Sequence, residues 1–182
     1  MRFYSLTQIV KYVLNNEDVK DIVECGCWKG HSSYIISKLI QESKKKISFH
    51  IFDSFEGLPE SWHNEPKGSY STKGEIPSVP ENVILHDGWF EETLPRFIEN
   101  HPEPVRFLNI DCDIYSSTKT VLDLLAKQII SGTVIVFDEY IVNENWREDE
   151  FKAFQESVLT YGWKYEYLYF SFFTKQVVVR MH

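Results

Sequence analysis

Apolar positions along this chain switch between two spacings, and the switching lays out an α/β plan. Leu6, Ile9, Val10, Val13 and Leu14 recur every three or four residues, which predicts a short amphipathic helix over 5–15. DIVECG (21–26) is a β-branched apolar run that ends in glycine and predicts a first strand. In KGHSSYIISKLIQESKKK, Ile35, Ile36, Leu39 and Ile40 form one helical stripe, and Lys44 to Lys46 suit the negative end of that helix dipole. ISFHIFD (47–53) and NVILHDG (82–88) predict the second and third strands, and EETLPRFIEN a short helix interrupted near Pro95. A fourth strand ends at Asp111, a helix covers 117–130, and a fifth strand ends at Asp138. Phe151, Phe154, Val158 and Leu159 share one face of a helix over 148–160, and WKYEYLYF and FFTKQVVVRM close the chain as a strand pair. Between 54 and 81 no period holds. That segment mixes Gly57, Gly68, Gly74, Pro59, Pro66, Pro77 and Pro80 with aromatics, the composition of a binding loop, and 54–80 is expected to form a lid.

Strands alternating with helices imply a doubly wound, Rossmann-like, mostly parallel sheet with helices on both faces, in one domain over 1–182. Composition changes this picture little, but charge narrows the partners. A net charge of -8 argues against nucleic-acid phosphates or an anionic membrane as the main partner. No run approaches the ~20 apolar residues of a membrane span. The first residues, MRFYSLTQIVKYVLNNED, lack the apolar core and cleavage site of a signal peptide. Cys25, Cys27 and Cys112 are odd in number and sit in or beside buried strands, which points to free thiols and a reducing, cytoplasmic setting.

The chemistry gathers where strands end. Ligands of open α/β sheets bind outside the carboxyl ends of the strands. Asp111, Asp113, Asp138 and Glu139 therefore meet at one edge, where mutual repulsion calls for a cation such as a divalent metal with oxygen ligands; as single residues they are also good helix caps. Glu24-Cys25-Gly26-Cys27-Trp28-Lys29-Gly30-His31-Ser32-Ser33 joins the first strand to its helix. Gly26 permits a tight turn and Gly30 a close approach to the helix N-terminus, in a G-x-x-x-G spacing that is not the dinucleotide fingerprint. Ser32 and Ser33 suit a carboxylate and Glu24 an ammonium. Asp53 ends the second strand, where an acid accepts ribose hydroxyls, and Asp87, Gly88 and Trp89 end the third, where backbone groups and an aromatic face suit adenine. Each piece alone is equally an ordinary turn or cap. Jointly they describe an adenosine joined to an amino acid, which is S-adenosylmethionine. Trp62, His63 and Tyr70 in the loop offer apolar faces and hydrogen bonds to a sugar ring, or pin the loop to the body, and Trp146 borders the expected acceptor site.

The segments VECGCWKGHSS, FDSFEGLPE, HDGWFEETLP, NIDCDIYSST and GTVIVFDEY, in order across residues 21–140, resemble class I S-adenosylmethionine-dependent methyltransferases, and more narrowly the macrocin O-methyltransferase family of sugar methylases. The resemblance implies a seven-stranded sheet with the last strand antiparallel. It implies that Glu24, Gly26, Ser32, Ser33 and Asp53 surround the cofactor, that Asp111, Asp138 and Glu139 hold Mg²⁺ or Mn²⁺, and that Asp113 is the general base. Glu139 stands where the family has a second aspartate. The chain also has about 20 residues before its first strand where the family commonly has more, so the expected site is either more open or covered by 54–80 or by a second subunit, as in a homodimer. The expected partner is a small-molecule or glycan acceptor, methylated on a sugar hydroxyl. Rival readings are a phenol or catechol methyltransferase, a nicotinamide-dependent oxidoreductase and an inactive adenosine-binding module. Metal-dependent catechol methyltransferases carry a lysine three residues after the first metal aspartate, and here that residue is Ile114.

Overall fold

The computed structural model describes residues 2–16, 19 and 21–182, without the side chains of residues 2–4. Among them are five helices, α1 (Arg2–Leu14), α2 (His31–Ser43), α3 (Phe90–Asn100), α4 (Tyr115–Leu124) and α5 (Glu150–Tyr161). The strands are β1 (Asp21–Cys25), β2 (Ser48–Asp53), β3 (Val83–Asp87), β4 (Val105–Ile110), β5 (Val134–Phe137), β6 (Tyr165–Phe170) and β7 (Val177–Met181). They form one seven-stranded sheet in the order β3-β2-β1-β4-β5-β7-β6. β1 to β5 are parallel, and β7 runs antiparallel to β5 on one side and to β6 on the other.

Strand chemistry follows position. Every residue of β1 and β5 is buried, because central parallel strands are covered on both faces. Edge strands β3 and β6 are mostly exposed or half-buried. The period of two then divides the core. Ile22, Phe49, Ile51, Phe107, Val134 and Val136 pack with α1 and α2, whereas Val23, Phe52, Leu108, Ile110, Ile135 and Phe137 pack with α3, α4 and α5. Phe154 of α5 is wholly buried against Phe137, Tyr140 and Tyr165, a contact whose truncation to alanine costs about 3–5 kcal/mol.

Three expected boundaries move. Pro95 does not interrupt α3: it removes one helical bond, to the carbonyl of exposed Glu91 near the helix start. The helix after β4 stops at Leu124, six residues before the expected Ile130, because tight turns take over and the Gln128 carbonyl receives the Val105 N–H at the entry to β4. A single 3₁₀ turn, Trp146–Glu148, precedes α5, which ends on Gly162 in the left-handed region (φ 66°).

The segment between β2 and β3 is irregular but closes on itself. Leu58 N–H donates to Ser69 O (2.9 Å), Gly68 N–H to Leu58 O (2.8 Å) and Thr72 N–H to Phe55 O (3.2 Å). A Cβ on Gly57 would lie 2.3 Å from Ser69 O, so only glycine fits that crossing. Phe55 and Leu58 are buried and anchor the arm.

Candidate active site

The carboxyl ends of β1 to β5 open into one cavity of about 540 Å³, roofed by Gly57, Leu58, Pro59, Glu60, Trp62 and Tyr70 of the arm. It is the size of a small-molecule site. Gly26, Asp53, Gly88, Trp89, Asp111, Asp113, Asp138 and Glu139 all line it, so residues from five strand ends are brought together.

The floor depends on Gly26. Its φ is 85°, and a Cβ there would lie 2.0 Å from the Asp111 carbonyl oxygen, which lets the turn after β1 pass the end of β4. Asp53 then fastens that turn. Its Oδ2 accepts the N–H groups of Cys27 (2.8 Å) and Trp28 (2.9 Å), and its Oδ1 accepts Phe55 N–H (2.8 Å). A carboxylate offers about four acceptor positions, so capacity for one further donor remains.

Several expected site residues lie elsewhere. Glu24 is wholly buried and does not line the cavity. It accepts hydrogen bonds from Ser33 Oγ and from Asn109 Nδ2 (2.9 Å), and burial above all raises its carboxyl to about 7. In this arrangement it holds Ser33 and Asn109 and is not presented to an ammonium in the cavity. Ser33 is equally buried, with its hydroxyl spent on Glu24, and Ser32 is half-buried. Gly30, Ser32 and Asp87 are outside the lining, Asp87 being exposed at the end of edge strand β3. His63 pins the arm to the start of α5, its Nε2 lying 3.0 Å from Asp149 Oδ2, while Trp146 packs edge-on against Phe151 with Arg147 over its ring. Trp62 and Tyr70 do line the cavity, and the Tyr70 ring meets the exposed Trp28 ring edge-on across the mouth at 6.3 Å. Burial, then the charges of Asp113, Glu65 and Glu139, raise the Tyr70 phenol, which keeps it a donor.

The acid cluster is held from unexpected directions. Asp138 Oδ1 accepts Gln176 Nε2 at 2.6 Å, and Glu139 Oε2 lies 3.0 Å from Lys175 Nζ and accepts Asn143 Nδ2 at 2.7 Å. Lys175, from the β6–β7 connection, thus supplies a cation at the cluster. Asp113 sits at φ 64°, a left-handed conformation rare outside glycine and costly for its surroundings to hold. Wholly buried Glu150 accepts the Glu139 N–H through Oε2 (3.2 Å); burial, then Asp113, Asp138 and Asp111, push its carboxyl well upward. Lys175, Gln176 and Glu150 carried no sequence signal, because each reaches the cluster only through the packing of the last hairpin and α5. Among the described residues, the donor atoms of Asp111, Asp138 and Glu139 do not all fall within 4.8 Å of one another, as Glu139 is turned to Lys175. The three cysteines are free and buried.

The chain is 23% identical over 174 residues to demethyldecarbamoylnovobiocin O-methyltransferase of Streptomyces niveus, covering 84% of this chain and 65% of that protein. It is 25% identical over 164 residues to 8-demethyl-8-(2,3-dimethoxy-alpha-L-rhamnosyl)-tetracenomycin-C 4'-O-methyltransferase of Streptomyces olivaceus, covering 78% of this chain and 61% of that one. The chain therefore spans somewhat less than two thirds of the length of these relatives. Among solved structures, the calicheamicin methyltransferase CalS11 superposes with a TM-score of 0.82 at 20% identity, over 98% of this chain and 78% of that one. The O-methyltransferase NovP superposes with a TM-score of 0.75 at 21% identity and the same coverage. The family model described as "Methyltransferase domain" matches residues 23–140, from the first strand through the acids that follow β5, and the chain belongs to that methyltransferase family.

Proposed function

We propose that this chain transfers a methyl group from S-adenosylmethionine to a hydroxyl of a sugar or glycan, with a divalent cation, Mg²⁺ or Mn²⁺, at its acid cluster. The observation that carries this reading is that Asp111, Asp113 and Asp138 share one cavity with the Gly26 turn, Asp53 and the Trp28 and Trp89 rings. The residues fit the donor molecule: Asp53 keeps room for one ribose hydroxyl, and two indoles border the space an adenine needs. They fit a hard cation as well, since Asp111 and Asp138 offer carboxylate oxygens and Mg²⁺ takes one or two of these with water and substrate oxygens. Glu139 joins them only by releasing Lys175. When bound, the sulfonium supplies an electrophilic methyl group and the cation lowers the acceptor hydroxyl's pKa.

The chain's own residues supply the rest. Asp113 lies two residues past Asp111 on the cavity wall and takes the hydroxyl proton. Trp62 and Tyr70 bound the acceptor from above, and the arm excludes water from the reacting oxygen. Sugar acceptors are supported by the relatives, one named for a rhamnosyl substrate and CalS11 named a TDP-rhamnose 3'-O-methyltransferase. A phenolic acceptor is the second reading, because Lys175 brings an ammonium to the cluster although Ile114 occupies the lysine position of catechol enzymes.

The test is methyl transfer from labelled cofactor to nucleotide sugars, deoxysugars, short glycans and catechols, with Mg²⁺ and with EDTA. Asp111→Asn should lose cation affinity and turnover together. Asp113→Asn should keep both ligands and lose about 10²–10⁴-fold in turnover, the range for a general base. Full activity in EDTA, with Asp111→Asn as fast as wild type, removes the cation from the mechanism. Preference for catechols moves the acceptor to the second reading.

A further inference from the structure

At the edge of the sheet away from the cavity, three side chains that the proposed reaction does not use face one another. Asp21 opens β1, His50 lies in β2, and His101 follows the last turn of α3. His50 Nε2 is 4.0 Å from Asp21 Oδ1, and His101 Nδ1 is 3.8 Å from Asp21 Oδ2. One ligand atom from each lies within 4.8 Å of the other two, and among the described residues no other three ligating side chains are drawn so close. These separations are too long for hydrogen bonds.

His50 makes the cluster unusual. It is wholly buried, and its Nε2 has no hydrogen-bond partner. Its Nδ1 lies 3.0 Å from His86 Nε2, so one proton is shared between those two nitrogens. With that proton on His50 Nδ1, the buried Nε2 turns a lone pair toward a carboxylate oxygen. Two acceptors then face each other, an arrangement that a cation shared between them would satisfy. The hydrogen bond from Nδ1 to a second group is how proteins orient a metal-binding imidazole.

We propose that Asp21, His50 and His101 form a binding site for a zinc-like transition-metal ion, with His86 as the outer partner that orients His50. Two imidazoles and one carboxylate suit zinc and not magnesium. Zinc bonds of about 2.0–2.2 Å place tetrahedral ligands roughly 3.3–3.5 Å apart, so ligand atoms that lie within 4.8 Å of one another need to close by up to about 1.5 Å. The His101 side chain is 33% exposed, which leaves an entry path and room for water as the fourth ligand. Its ring is already oriented, stacked on Phe97 at 5.0 Å and edge-on to His50 at 4.4 Å. A metal here clips the starts of two central strands to the end of α3.

The experiment titrates chelator-stripped full chain with Zn²⁺ by calorimetry in saturating Mg²⁺, which keeps the carboxylates of the cavity occupied. One Zn²⁺ per chain is expected in wild type and in Asp111→Asn. Affinity should fall about 100-fold or more in His101→Gln and about 10–100-fold in His86→Phe, which removes only the outer partner. Co²⁺ should give wild type, but not His101→Gln, the visible absorption of a low-coordinate site. A wild-type chain that binds no Zn²⁺ and gives no Co²⁺ spectrum overturns the proposal without relying on any variant's fold. So does wild-type affinity in His101→Gln, or binding lost in Asp111→Asn alone, which places the zinc in the cavity.

Discussion

Replacing Glu24 with glutamine isolates the cost of burying a carboxyl beneath the Gly26 turn. Glutamine keeps the shape: its oxygen accepts from Asn109, and its amide donates to the Ser33 hydroxyl, which also accepts. In the folded chain burial raises this carboxyl from the ordinary 4.5 to about 7. Between those values the folded chain holds a proton that the unfolded chain has released. Stability therefore falls as pH rises through that window, and it is flat above it. A difference of about 2.5 pH units corresponds to about 3 kcal/mol, lost as pH rises from about 4 to about 8. The assay is urea unfolding of wild type and Glu24→Gln at pH 5, 6, 7 and 8, in EDTA so that no cation near Asp111 changes the balance. Other groups titrate in both proteins and cancel in the comparison. The variant should exceed wild type by only about 1 kcal/mol at pH 5 and by about 3 kcal/mol at pH 8. A gap that stays constant across the series refutes the reasoning, because the carboxyl would then titrate alike in both states.

Three further outcomes follow from the site. Gly26→Ala, which forces a Cβ into the Asp111 carbonyl at a φ of 85°, should lower stability in urea by about 3 kcal/mol or more. Asp53→Ala leaves the Cys27, Trp28 and Phe55 N–H groups without their acceptor, so it should lower the melting temperature as well as weaken S-adenosylhomocysteine binding by about 1.5–3 kcal/mol in calorimetry. Hydrogen exchange across 54–80 should slow when S-adenosylhomocysteine and acceptor are both bound, and His63→Ala, which frees the arm from Asp149, should speed it in the unliganded chain; equal exchange in all states removes the lid.

The strands were legible because burial on both faces favours mostly apolar, β-branched runs such as DIVEC and VIVF, and the acids that follow β4 and β5 were legible because they end such runs. What stayed hidden was pairing across the sheet. Nothing local marks Glu139 as the partner of Lys175, 36 positions away, or Asn109 as the group that keeps Glu24 under the turn. The same limit applies to Glu24 and Ser33: a polar residue beside a glycine turn has the same sequence signature whether it lines a cavity or is buried beneath the turn. His50, His86 and His101 carry no local signal either, since they meet only when β2, β3 and α3 are assembled.

The arm between β2 and β3 has a consequence for how such a protein can change. Its base is fixed by adjacent parallel strands and by the Phe55–Thr72 and Leu58–Ser69 crossings, so residues 59–67 form a tip whose ends do not depend on what the tip contains. That tip carries Trp62 to the cavity, while the glycine turn, Asp53 and the acids stand on the sheet. Under the proposed function, exchanging the tip for one of different length or side chains would alter which acceptor fits without disturbing the strand ends, so substrate range could be recombined as a cassette on an unchanged reaction centre.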